Sequence, residues 1–284
     1  MPSYAVIGAS RGIGLEYVRQ LASRSDMVVF AVVRNPEGST HLNAVAASFK
    51  NIHIILEDVV DYNSLESLAN DMRCDTGSSE ASFRDHRRKL DYLIHNAAST
   101  NVSTVYKGFD DYANMDELDA EFISAAYKIN SLGPIHAITA FLPLLRASDT
   151  KKIVVIGSGA ADPKSTQVRR LVAYSMTKAA ALIAATKFAV KLQDEGFVVV
   201  TICPGMVDCS ATAGADTEGC RKCEVVAASL KEMSSSMKSQ TGIEVTPQTP
   251  EASVAAQLKV IDGLEASHNG LFLQHTGGEY RPRN

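Results

Sequence analysis

The sequence predicts an α/β fold: one doubly wound parallel sheet of about seven strands with helices on both faces. Three observations carry this reading. Short apolar runs alternate with helical patterns along the chain. Those runs are almost continuously apolar, as strands buried on both faces are. A glycine-rich turn, Gly8-Ala9-Ser10-Arg11-Gly12-Ile13-Gly14, joins the first apolar run to the first helical pattern.

The 284 residues suffice for one large domain, and no linker or repeat divides them, so a single domain over 1–284 is expected. Apolar residues make up 45% and charged residues 21%, a balance that buries a core and stays in water. A net charge of −4 speaks against a nucleic-acid partner. No apolar run reaches the roughly 18 residues of a membrane helix. The chain enters a strand pattern at once, so no secretion signal and a cytoplasmic location are expected. Five cysteines (Cys74, Cys203, Cys209, Cys220, Cys223) are an odd number, consistent with reduced thiols. Cys220 and Cys223 have C-x-x-C spacing, but only Cys209 lies nearby as a further ligand, so no metal site is expected.

Tyr4 to Ile7 is the first strand. In the turn after it, Gly8 permits the tight bend. Gly12 and Gly14 let the backbone approach a pyrophosphate and let helix pack on strand. The next helix, with Leu15, Val18 and Leu21 on one face, offers free N–H groups and its positive dipole end to the phosphates. Strand, turn and helix in this order mark a dinucleotide site. Met27 to Val33 is the second strand and ends at Arg34. An NAD site usually places an acid there for the ribose 2′-hydroxyl. Here Arg34 and Arg11 are two bases that suit a 2′-phosphate, which points to NADP(H). A helix over 39–49 and a strand from Ile52 to Leu56 follow. Asp58-Val59 then stands at the carboxyl edge of the sheet, where Asp58 either bonds the adenine amino group or caps the helix over 64–73.

Residues 75–89 are polar and aperiodic, an exposed insertion without an assigned role. Leu90 to Ile94 is the fourth strand, terminated by His95-Asn96-Ala97-Ala98. The small residues there admit a ligand, and Asn96 can bond backbone or ribose. The loop over 99–115 is placed to shape a substrate pocket. A helical pattern runs from about 117 to 145 and holds Asn130 among Ile129, Leu132 and Ile135. Ile153 to Ile156 is the fifth strand. Ser158 follows between two glycines, its hydroxyl open to a ligand at the same edge. After a polar loop over 160–172, a long helix opens with Tyr174-Ser175-Met176-Thr177-Lys178. Tyr174 and Lys178 are four apart and share a helix face. An ammonium beside a phenol lowers its pKa from about 10 toward the working range, which makes a proton donor. Phe197 to Ile202 is the sixth strand, and the Pro204-Gly205 turn and Val207 follow it. Residues 208–245 read as a helical lid over the substrate. Thr249-Pro250-Glu251 opens another helix, and Gly270 to Leu273 is a short last strand.

Over nearly its whole length the chain resembles the short-chain dehydrogenase/reductase family, whose fold is Rossmann-type. The resemblance rests on Gly8-x-x-x-Gly12-Ile13-Gly14, Asp58, His95-Asn96-Ala97-Ala98, Asn130, Ser158, the Tyr174–Lys178 pair and Pro204-Gly205-x-Val207. Ile7 and Cys209 stand where the family often has Thr, and His95 where it has Asn. Among its members, the chain looks most similar to carbonyl reductases of the sniffer and C-factor kind. The resemblance implies hydride transfer between NADP(H) and a ketone or aldehyde carbonyl. Tyr174 would act as general acid/base, Ser158 would polarise the oxygen, and Lys178 would tune Tyr174 and bond the nicotinamide ribose. Asn130 would hold a water that links Lys178 to solvent. The cofactor would lie on Gly8, Ser10, Arg11, Gly12, Ile13, Gly14, Arg34, Asp58, Val59, Asn96, Ala97, Tyr174, Lys178, Pro204, Gly205 and Val207. A homodimer or homotetramer through the helices at 117–145 and 173–195 is implied too. Two alternatives keep the fold: a biosynthetic cyclase or isomerase, and a non-catalytic NADP(H)-binding regulator. Val102, Val105, Tyr106, Met206, Met233 and Met237 suit either a hydrophobic substrate or ordinary packing.

Overall fold

The computed structural model describes residues 1–73, 89–100, 105, 107–121, 126–163, 170–213, 219–242 and 244–280. Seven strands form one sheet: β1 (Ser3–Ile7), β2 (Val28–Val33), β3 (Ile52–Leu56), β4 (Tyr92–His95), β5 (Lys152–Ile156), β6 (Val198–Cys203) and β7 (Phe272–Gln274). Their order is β3-β2-β1-β4-β5-β6-β7, and every pairing is parallel. The chain builds outward from β1 to one side and then returns to build the other. That reversal opens a crevice at the carboxyl ends of β1 and β4.

Alternation along each strand divides the core in two. Ile7, Val32, Leu93 and Val155 face one way, against α3 (Tyr62–Arg73), α5 (Gly133–Arg146) and α6 (Val172–Leu192). Val6, Val33, Ile94 and Ile156 face the other way, against α1 (Gly12–Ala22), α2 (Thr40–Ala46) and α8 (Pro250–Asp262). The remaining described helices are α4 (Met115–Glu121) and α7 (Gly219–Thr241). Thr249 caps α8 by accepting the Ala252 N–H, with Pro250 in the first turn.

Most elements lie within a residue or two of their predicted spans. Two differ in a way that matters. The helical pattern over 117–145 is not uniform: the described residues hold α4 (Met115–Glu121), and a π-helical turn, Lys128–Leu132, runs directly into α5. Pro134 accounts for the π-helical turn, because it has no N–H for the carbonyl of Asn130 four residues back. The Gly133 N–H instead reaches the Lys128 carbonyl. The fourth strand is displaced toward its C-terminus, so His95 ends the strand rather than following it. Asp91, just before it, is buried and accepts from the Ser3 N–H at 2.8 Å, the Ser3 hydroxyl at 3.0 Å and the Ser148 hydroxyl. This knot ties β1, β4 and the end of α5 at the amino edge, away from the crevice.

The insertion at 75–88, Cys74, Val102 and Tyr106 lie outside the described residues, as do the side chains of Cys220, Cys223, Met233 and Met237. Among the described residues, no helix is long and apolar enough to cross a membrane.

Candidate active site

The glycine turn rests on the ends of β2 and β4. The Gly8 N–H donates to the Val32 carbonyl at 2.9 Å, and the Asn96 amide donates to the Gly8 carbonyl at 3.0 Å. Gly8 has φ +83°, and a Cβ there would stand 2.6 Å from the Ala97 Cα. A Cβ at Gly14 would stand 2.1 Å from the Gly8 carbonyl oxygen. The turn therefore tolerates no side chain where the backbone must be bare. Arg11 gives α1 no side-chain cap, and the first turn of α1 carries no acid. An eleven-residue helix with no acid in its first turn and Arg11 beside its N-terminus fits a dinucleotide pyrophosphate.

The other predicted cofactor residues line the same edge. Ser10 and Ile13 are half-buried in the turn, while Arg11 and Arg34 are exposed. The Arg11 guanidinium donates to the Ala213 carbonyl. Asp58 accepts the Val60 N–H at 3.1 Å, whereas Asp61 accepts the Ser64 N–H at the start of α3. The helix-capping position thus belongs to Asp61, and Asp58 remains at the end of β3. Val59 is buried, and its carbonyl lies 2.8 Å from His136 Nδ1.

Tyr174 and Lys178 stand in the first two turns of α6, at the carboxyl end of β5. Leu171, just before α6, has φ +66°, an uncommon conformation for a buried leucine. Lys178 Nζ donates to the Ile156 carbonyl at 2.8 Å and lies 5.9 Å from the centre of the Tyr174 ring. Only 4% of Lys178 is exposed, and burial brings its pKa down to about 8. Ser158 follows Ile156 by two residues, and its hydroxyl accepts the Ala160 N–H at 3.2 Å. The Asn130 side chain accepts the Ser99 N–H at 2.6 Å and donates to Thr177 Oγ1 at 3.1 Å. It therefore ties the loop after β4 to α6 beside the Tyr174–Lys178 pair. His95, at the end of β4, is 2% exposed; burial first and the Lys178 charge second push its pKa down to about 3.

The loop after β6 closes the site. The buried Pro204 carbonyl accepts from Ser253 Oγ at 2.8 Å and from the Gln248 amide at 2.9 Å. Val207 bridges to Gln248, so the two ends of the 208–245 segment meet there. A Cβ at Gly205 would meet Gln248 Nε2 at 2.5 Å and His275 Cε1 at 2.9 Å. The Gly12 N–H donates to Thr212 Oγ1 at 2.9 Å, and a Cβ at Gly12 would stand 3.0 Å from Cys209 Sγ. Burial first pushes the Cys209 thiol up to about 11. Thr177, Thr212, Gln248, Ser253 and His275 escaped the sequence reading. Each meets the site through a contact between distant segments, which no local pattern announces. Among the described residues, no cluster of His, Cys, Asp and Glu is arranged to hold a metal.

Residues 3–219 match the family model described as short chain dehydrogenase. The chain is 34% identical to the short-chain dehydrogenase/reductase atnB of an Arthrinium species, over 98% of each chain. It is 30% identical to the short chain dehydrogenase virK of Hypocrea virens, over 98% of this chain and 99% of that one. Among solved structures, carbonyl reductase Sniffer of D. melanogaster superposes with a TM-score of 0.73 at 20% identity, covering 98% of each chain. The NADPH-bound carbonyl reductase from chicken fatty liver gives 0.72 at 23% identity, covering 99% of this chain and 98% of that one. These two show the shared Rossmann-like fold. The family match and the full-length relatives show more: the chain belongs to the short-chain dehydrogenase/reductase family of oxidoreductases.

Proposed function

We propose that the chain is an NADP(H)-dependent oxidoreductase that interconverts a ketone or aldehyde with its alcohol, using Tyr174 as general acid/base. The observation that carries this reading is the buried Lys178 ammonium beside the Tyr174 ring, at the same sheet edge as Ser158 and the glycine turn. The turn from Gly8 to Gly14 would hold the pyrophosphate, Asp58 the adenine, and Arg11 and Arg34 the 2′-phosphate. Asn96, Ala97, Pro204, Gly205 and Val207 would line the nicotinamide side. The bound cofactor supplies the hydride. In reduction, Ser158 donates a hydrogen bond to the carbonyl oxygen, where negative charge develops. Tyr174 gives its proton to that oxygen, and the Lys178 ammonium stabilises the phenolate left behind. Asn130 fixes the floor of the site through Ser99 and Thr177. Pro134 offers the Asn130 carbonyl no N–H, which suits that carbonyl to holding a water behind Lys178.

Lys178 must stay protonated for this role, so reduction should fade as pH rises through about 8. The test is oxidation of NADPH, and of NADH in parallel, against a panel of ketones, aldehydes and quinones. Tyr174→Phe should lower turnover by about 10² to 10⁴ with cofactor binding retained. Turnover that survives in Tyr174→Phe would remove Tyr174 from this role, and preference for NADH would remove the two arginines from theirs.

The exposed apolar side chains of Met176, Ile183 and Val190 repeat every seven residues along α6, at 51%, 60% and 68% exposure. This stripe supports a homodimer or homotetramer assembled through the 173–195 helix.

A further inference from the structure

His95 is a buried polar side chain without an evident task. Its backbone pairs between Ile7 of β1 and Val155 of β5, in the middle of the sheet. It is 2% exposed, and its Nε2 meets no hydrogen-bond partner among the described residues. Buried polar atoms of that kind are rare and generally bind an ordered water. Strand alternation places His95 on the same face as Leu93, the face covered by α3, α5 and α6. A Cβ on Gly133 would stand 3.4 Å from Nε2, so the glycine opening α5 leaves that nitrogen room. Lys178 crosses from α6 to the Ile156 carbonyl, one residue beyond the strand partner of His95.

We propose that His95 is a positioning residue of the proton path, its Nε2 accepting a hydrogen bond from a buried water that in turn accepts one from the Lys178 ammonium. The inference rests on the oxidoreductase reading above and adds a residue to it. The imidazole stays neutral with its proton on Nδ1. The water gives one hydrogen to Nε2 and offers a lone pair to Lys178, which stabilises the charged form of the lysine. The Lys178 charge acts on the imidazole itself. Around it, Tyr174 precedes Lys178 by one turn of α6, and Cys203 on β6 acts on Lys178. His136 of α5 is engaged at the Val59 carbonyl, next to Asp58.

The test compares His95→Leu, which removes the acceptor, with His95→Asn, which keeps one. Lys178 titration is followed by carbon NMR in the cofactor-free protein. In His95→Leu the lysine midpoint should fall by about one unit, a tenfold weaker hold on its proton, and His95→Asn should restore it. With substrate, the alkaline limb of the pH profile should move by the same amount in the same variants. An unmoved Lys178 midpoint would overturn the proposal, whatever the turnover. A moved midpoint with no turnover of any carbonyl would keep the His95–Lys178 link and refute the oxidoreductase reading instead. Nitrogen NMR of Nε2 in the parent needs no variant: a bare, non-hydrogen-bonded acceptor would overturn the proposal, and a hydrogen-bonded one supports it.

Discussion

Replacing Lys178 by Met should abolish turnover and stabilise the fold at neutral pH. The lysine is almost wholly buried, and its pKa falls from 10.5 in the unfolded chain to about 8 in the folded one. The folded-state value lies below the unfolded one, so the fold disfavours the protonated form. That penalty is complete below about pH 8 and disappears as pH rises through 10.5. At 1.36 kcal/mol per unit it amounts to about 3 kcal/mol near pH 7 and about 1 kcal/mol near pH 10. Met keeps the aliphatic stem but leaves the Ile156 carbonyl without its 2.8 Å partner, a loss of roughly 1–2 kcal/mol. The net expectation is a gain of about 1–2 kcal/mol near pH 7 that vanishes or reverses near pH 10. Urea unfolding followed by circular dichroism at both pH values measures it. A variant less stable than the parent near pH 7, or a difference independent of pH, would refute the argument that burial of the charge dominates here.

Asp91 should behave in the opposite sense. Burial alone would raise its carboxyl, but the hydrogen bonds from Ser148 and Ser3 outweigh burial and hold it below the usual 3.8. Its contribution is therefore present above the unfolded-state pKa and lost as pH falls through the folded-state value. Asp91→Asn should cost about 1.5–3 kcal/mol near neutral pH, with the gap to the parent closing in acid; a pH-independent gap in urea melts would contradict this. On α6, Ile183→Glu places a charge in the apolar stripe and should reduce the assembly to a smaller species in size-exclusion light scattering. A parent that already runs as a monomer would end the oligomer reading.

Local sequence determined the order of strands and helices, because burial on both faces writes continuous apolar runs and α1 writes a three-to-four-residue period. It also located the glycine turn, since bare backbone at Gly8 and Gly14 is a constraint that only glycine meets. Over 117–145 Leu, Ile and Ala write the helical period, but the π-helical turn Lys128–Leu132 inside it was not legible, because it is a matter of hydrogen-bond register next to Pro134 rather than of apolar spacing. Tertiary structure alone decided which groups meet. Parallel pairing of β1, β4 and β5 sets Ile7, His95 and Val155 side by side, and so brings together Gly8 and Ile156 just beyond them, although they are far apart in the chain. The same folding turns Asn130 toward Ser99 and Thr177, and Ser253 and Gln248 toward Pro204. The depressed pKa of Lys178 belongs to this level too, because desolvation depends on the atoms that surround the ammonium, and those come from the packing of α6 on the sheet.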